Sequence, residues 1–131
     1  MSMRKIGILG SGIIGLSLGY KLSKLFKDFK IIIFEKESDF GLHQSGRNSG
    51  VLHCGLAYQP GSLKSKLAIS GIEQMTNFCR KHDIPHDICG KIVVASNAKD
   101  VHNLDALAKN GSKNGLKNLK FLNKNELKKR E

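Results

Sequence analysis

The first chemically loaded pattern in the chain is Gly10-Ser11-Gly12-Ile13-Ile14-Gly15, a GxGxxG spacing, with Glu35 twenty residues after Gly15. Each part has a physical task if the ligand is a dinucleotide. Gly10 permits a tight turn off a strand, Gly12 lets the backbone approach a pyrophosphate, and Gly15 lets a helix pack closely on a sheet. The start of that helix offers unpaired N–H groups and partial positive charge to phosphate oxygens. Glu35 can accept hydrogen bonds from an adenosine ribose, and its charge repels a 2′-phosphate, which argues against NADP. The glycines alone are a short and common pattern, so their weight depends on what surrounds them.

The surrounding elements are the ones the pattern needs. Arg4 to Leu9 reads as a short apolar strand leading straight into Gly10. From Ile13 the period changes: Ile14, Leu18, Leu22 and Leu25 fall at helical spacing, with Lys21, Lys24 and Lys27 on the other side. Phe29 to Phe34 is too short and too β-branched for a helix and reads as a buried parallel strand ending at Glu35. A helix joining two parallel strands is expected to cross over right-handed. The fold class expected is therefore α/β, built on a Rossmann-like βαβ unit.

Beyond Glu35 the pattern loosens. Residues 37–61 are polar, rich in Gly, Ser, His and Asn, and without clear periodicity, which in a compact domain usually marks function. Pro60-Gly61-Ser62 opens a helix to about Lys81, with Ala68, Ile72, Met75 and Cys79 as its stripe, flanked by Leu67 and Phe78; Pro85 lies past its end. Lys91 to Ala95 reads as a strand and Asp100 to about Lys109 as a short helix. Asn110-Gly111 and Asn114-Gly115 are turn or helix-end signals. Lys120-Phe121-Leu122 reads as a last strand before a polar helix from Lys124.

Composition narrows the class. A chain of 131 residues with 40% apolar content suits one globular domain. The apolar stretch Ile13 to Leu18 is far short of a membrane span, and the run after Arg4-Lys5 feeds the glycine pattern rather than a secretion signal. Three cysteines, Cys54, Cys79 and Cys89, make no disulfide framework, so a reducing cytoplasm is the expected setting. The net charge of +11 raises nucleic acid as a ligand. From Lys109 onward there are eight Lys and Arg against two Glu, interleaved with Asn and with Phe121 as the lone aromatic. A single-strand binder interleaves stacking aromatics with its cations, so these charges read as a solvated face and no nucleic-acid partner is expected.

The stretch after Glu35 separates FAD from NAD. An NAD unit typically crosses directly to a third strand. Here His43-Gln44-Ser45-Gly46-Arg47-Asn48-Ser49-Gly50-Val51-Leu52-His53-Cys54-Gly55 offers hydroxyl, amide and imidazole groups, with glycines that allow close backbone approach. Those groups suit an extended cofactor. At these residues the chain resembles the D-amino acid oxidase superfamily of FAD-dependent oxidoreductases, and most closely the L-2-hydroxyglutarate oxidase/dehydrogenase family. The phrase His43 to His53, Tyr58, Pro60-Gly61-Ser62-Leu63-Lys64 and Cys89-Gly90-Lys91 are similar to that family's sequences. The resemblance runs in unbroken order from Lys5 onward.

The resemblance implies an FAD-binding domain of the glutathione-reductase type, followed by the start of an α+β substrate domain. Residues 1–80 would be the N-terminal part of the FAD-binding domain and residues 81–131 the beginning of the substrate-domain segment. It implies oxidation of a small 2-hydroxyacid, L-2-hydroxyglutarate, to 2-oxoglutarate by hydride transfer to flavin. Oxygen or a membrane quinone chain would reoxidise the flavin, the latter bringing the protein to the inner face of the membrane as a peripheral partner. Gly10, Gly12, Ile14 and Gly15 would follow the pyrophosphate, and Glu35 with its neighbour Lys36 the adenosine ribose. Gln44, Ser45, Asn48 and Ser49 would lie near the pyrophosphate, ribityl chain or flavin ring. His53 would be the base that takes the hydroxyl proton. Family members run to several hundred residues, so the chain is expected to be an N-terminal fragment. An amino-acid or glycerol-3-phosphate oxidising relative, and a non-catalytic remnant or interaction module, are the alternative readings. Cys79, His82, His86 and Cys89 invite a zinc assignment. Their eleven-residue window is too tight to wrap one ion, and the helix stripe accounts for Cys79, so no metal site is expected. Non-covalent FAD is expected over attachment through His43.

Overall fold

The computed structural model describes residues 3–130. In chain order it contains β1 (Arg4–Leu9), α1 (Ile13–Leu25), β2 (Phe29–Phe34), a 3-10 turn (Gln44–Gly46), α2 (Leu63–Lys81), α3 (Ala98–Lys113) and α4 (Lys124–Lys128). The chain divides into two compact units between Val51 and Leu52.

The first unit is the βαβ unit. β1 and β2 pair in parallel, with Arg4 opposite Phe29 and Leu9 opposite Phe34, and among the described residues they are the whole sheet. Ile8 is buried, and α1 covers it closely. A Cβ on Gly15 would collide with the Gly10 carbonyl, and one on Gly19 would stand 3.0 Å from Ile33 Cδ1 and 3.5 Å from Ile8 Cδ1. The face of α1 against the strands is therefore the Gly15 and Gly19 row. This corrects the expected stripe: Ile14, Leu18 and Leu25 are exposed, and only Leu22 of that set is half-buried. The helix lies too near the strands for large side chains to fit between them. At the far end of the strands, the Arg4 guanidinium stacks 4.4 Å over the Phe29 ring.

The second unit is built from helices with well-formed ends. Ser62 caps α2 by accepting from Ser65 N–H, Asn97 caps α3 by accepting from Asp100 N–H, and Asn123 with Glu126 forms a capping box on α4. α2 stops before Pro85 because Asp83 turns left-handed (φ 52°) and Ile84 N–H returns to Cys79 O at 2.9 Å. α3 runs longer than expected at both ends, from Ala98 through Asn110-Gly111 to Lys113. Gly111 is there for packing, since a Cβ would meet Leu56 Cδ1 at 2.7 Å. Asn114-Gly115 is the true stop: Gly115 has φ 83°, its N–H bonds Ser112 O, and Leu116 N–H bonds Gly111 O. The strands expected at Lys91 to Ala95 and Lys120 to Leu122 are not formed. A strand needs a backbone partner, and among the described residues neither segment has one.

One buried polar node ties this unit together. Ser65 is 2% exposed and Asn114 is 8% exposed. Ser65 Oγ donates to Asn114 Oδ1 at 2.7 Å, while Asn114 Nδ2 donates to Gly55 O at 3.0 Å and Tyr58 O at 2.9 Å. The end of α3 is thereby fixed to the first turn of α2 and to the turn at residues 55–58. Asn114→Ala would strand these groups without water, at a cost of roughly 1–3 kcal/mol. Gly71→Ala, at a helical site with open space around it, should instead stabilise by about 0.5–1 kcal/mol. Thermal and urea denaturation of the two variants should move in opposite directions; a neutral Asn114→Ala would contradict the role given to the node.

Candidate cofactor site

The glycine turn joins the end of β1 to the start of α1. Gly10 takes φ 97°, and its N–H donates to Phe34 O at 2.7 Å, so the turn is tied to the last residue of β2. Glu35 follows immediately. Its carboxylate thus reaches the same strand ends as the turn, which is where parallel α/β sheets bind ligands. Glu35 Oε2 accepts from Ser11 N–H at 2.7 Å and Ser11 Oγ at 2.8 Å, and Oε1 accepts from Lys36 N–H at 2.8 Å and Glu37 N–H at 3.1 Å. The Ser11 N–H and then the Ser11 hydroxyl are the largest causes that hold the carboxyl down to about 2, against an ordinary 4.5.

The polar stretch folds back onto this turn. Gly41 N–H donates to Ser11 O at 3.2 Å, and Ile13 N–H donates to Ser45 Oγ at 2.8 Å. Gly12, the N-cap residue of α1, has no side chain to cap it, and Ser45 serves instead from a distant part of the chain. A Cβ on Gly12 would lie 3.1 Å from Ser45 Oγ. Gly12 therefore makes room for Ser45 as well as for any ligand. Asn48 Nδ2 donates to Gln44 O at 3.0 Å and Ser45 O at 2.9 Å, and its Oδ1 accepts from Gly50 N–H at 2.7 Å. Asn48 in this way closes the turn that carries Ser45.

Of the residues singled out from the sequence, Gly10, Gly12, Gly15, Glu35 and Ser45 gather around one turn, with Asn48 behind Ser45. Ile14 lies 80% exposed on the first turn of α1, and Gln44 and Ser49 are exposed on the loop. The Lys36 ammonium points away to Glu37 at 3.1 Å. Glu37 Oε1 also meets His43 Nε2 at 2.9 Å, and the His43 bond and then Lys36 hold its carboxyl below the ordinary value. His53 belongs to the second unit, where it is exposed two residues before the buried Gly55. Sequence reasoning missed Ser11 and Gly41. The signal for Ser11 was a small hydroxyl residue at a variable position of the turn, beside a carboxylate that needs donors.

These groups suit a dinucleotide: helix-start N–H groups, the Ser45 hydroxyl and open space at Gly10 for a pyrophosphate, and a fixed ionised carboxylate for a ribose. The hold on Glu35 also makes stability depend on pH. Its folded-state value lies below the unfolded one, so its contribution is complete above about pH 4.5 and is lost as pH falls towards about 2. Carboxyl NMR should place the Glu35 midpoint near 2, and Glu35→Gln should flatten the acid limb of a stability profile between those values. A midpoint at the ordinary carboxylate value would show that the Ser11 bonds do not persist in solution.

The family described as FAD dependent oxidoreductase matches this chain over residues 5–131. The chain is 42% identical over 121 residues to the mitochondrial L-2-hydroxyglutarate dehydrogenase of Dictyostelium discoideum, covering 92% of this chain and 27% of that protein. It is 40% identical over 124 residues to the L-2-hydroxyglutarate dehydrogenase of Escherichia coli strain K12, covering 95% and 29% respectively. Against the mitochondrial enzyme of Homo sapiens it is 37% identical over 126 residues, covering 96% and 27%. The chain therefore spans under a third of the length of these relatives. A glycine turn at the ends of parallel strands, a glutamate held against it and a match across nearly the whole chain agree: this protein belongs to the FAD-dependent oxidoreductase family.

Proposed function

We propose that the chain forms the pyrophosphate and adenosine-ribose half of the FAD site of an enzyme oxidising L-2-hydroxyglutarate to 2-oxoglutarate. The observation that carries the reading is the convergence of Gly10, Gly12, Ser45 and Glu35 on one turn at the strand ends, in a chain whose relatives bear that enzyme's name. In this assignment residues 1–80 belong to the FAD-binding domain and residues 81–131 begin the substrate domain. The first-turn N–H groups of α1 and the Ser45 hydroxyl hold the pyrophosphate, with Gly10, Gly12, Ile14 and Gly15 along it. Glu35 takes the ribose hydroxyls, with Lys36 beside it. Gln44, Asn48 and Ser49 shape the loop on the flavin side. When bound, FAD supplies the two-electron acceptor for the hydride leaving C2 of the substrate. His53 accepts the proton of the C2 hydroxyl as the ketone forms. Oxygen or a membrane quinone chain takes the electrons onward, and the setting is cytoplasmic, with peripheral contact at the membrane in the quinone case. Among the described residues no helix is long and apolar enough to cross a membrane.

Purified protein should carry, or take up on reconstitution, a chromophore with flavin absorption bands. Gly12→Val, which fills the space facing Ser45 and the pyrophosphate, should weaken FAD binding by at least roughly tenfold, equivalent to about 1.4 kcal/mol. Absence of flavin uptake by the wild-type chain would remove the cofactor assignment. The loaded protein is then offered L-2-hydroxyglutarate, an amino acid and glycerol 3-phosphate in turn without oxygen. Bleaching by the first alone supports the substrate assignment, and bleaching by another moves it to a sister activity.

A further inference from the structure

The position between the first two glycines carries no side-chain requirement in the dinucleotide pattern. Here it holds Ser11, 6% exposed, with both of its donors on one oxygen of Glu35. The second carboxylate oxygen is taken by the N–H groups of Lys36 and Glu37. Three of these four donors are backbone groups that any residue would supply. The Ser11 hydroxyl is the one contribution specific to this sequence. The turn is itself anchored on both sides of Ser11, through Gly10 N–H to Phe34 O and Gly41 N–H to Ser11 O. A donor on an anchored turn fixes whatever it bonds. A free glutamate has several rotamers, and ordering a side chain of this kind on binding costs affinity.

We propose that Ser11 is a positioning and specificity-determining residue for the adenosine ribose, its buried hydroxyl holding the Glu35 carboxylate in place before the ligand arrives. The inference rests on the FAD reading above and deepens it. With Oε2 held by Ser11, a ribose hydroxyl, which donates, is met at Oε1 in exchange for the exposed Lys36 N–H, which turns to water. The carboxylate rewards neither a deoxy position, which cannot donate, nor a 2′-phosphate, which brings like charge. The nearby basic side chains do not substitute for this hold, because Lys36 and His43 are both engaged by Glu37. Ser11 does not need to touch the ligand, which agrees with its burial.

The test uses ADP, 2′-deoxy-ADP and 3′-deoxy-ADP as probes of the intact chain by calorimetry, with FAD binding measured in parallel. Wild type should prefer ADP to at least one of the deoxy sugars. Ser11→Ala should shrink that preference by roughly two- to tenfold, the range set by freeing one side chain, and raise the Glu35 titration midpoint towards the ordinary value. Ser11→Thr should restore both. Ser11→Cys, which keeps a similar shape with a weak donor, gives the same comparison if the alanine variant does not fold. Equal weakening of all three nucleotides, or an unchanged preference, would overturn the proposal, since a purely structural role lowers every ligand alike. Wild-type chain that binds neither FAD nor ADP overturns the cofactor reading itself, whereas binding with a preference insensitive to Ser11 overturns this inference alone.

Discussion

The first unit depends on the absence of a Cβ at Gly15. The atom that a larger residue would place there clashes with the carbonyl oxygen of Gly10. Because it is absent, α1 can start directly above the turn and run close along both strands, with Gly19 repeating the condition one helical turn later. That closeness sets the rest. It presents the helix start to the same edge where Phe34 receives Gly10, and it leaves Glu35 within reach of Ser11. The site is a consequence of how near a helix can come to a sheet.

The same closeness explains where the sequence was legible and where it was not. The strand, turn, helix and strand order could be read because hydrophobic period and glycine spacing are local properties of residues 4–35. The buried face of α1 could not. Its leucines and isoleucines form a conventional stripe, yet glycines face the strands, and periodicity counts only side chains that are large enough to see. The end of α3 shows the same limit. Asn110-Gly111 and Asn114-Gly115 are alike as dipeptides, and only the crowding of Gly111 by Leu56 and Leu119 decides that the second one ends the helix. Lys91 to Ala95 has the composition of a strand, but pairing is a property of two segments. In the site, the glycines, Glu35 and Ser45 were legible from spacing and from the resemblance; Ser11 was not, since its task comes from a residue 24 positions away.

The interior of the chain is thin. Among the described residues Ile8 and Cys79 are the buried apolar ones, while Leu9, Ile14, Leu25, Leu63, Leu67, Ile88 and Phe121 are exposed. Order therefore rests more than usual on directed polar contacts: the Asn114 node, the helix caps, and the bonds around Glu35. The buried bonds of the Asn114 node contribute about 1 kcal/mol each when made, and their loss is felt more than their presence. They also specify geometry, because a hydrogen bond has direction where apolar contact has none.

The bond from Ile13 N–H to Ser45 Oγ has a kinetic meaning. Amide protons at a helix start usually exchange with solvent freely, since no carbonyl inside the helix protects them. Here the amide of Ile13 is sheltered by a residue 32 positions further on. Its exchange with deuterium is slowed while the loop carrying Ser45 stays in place. The first turn of α1 and the segment around residues 41–48 should thus open as one cooperative piece, on a slower clock than either would keep alone.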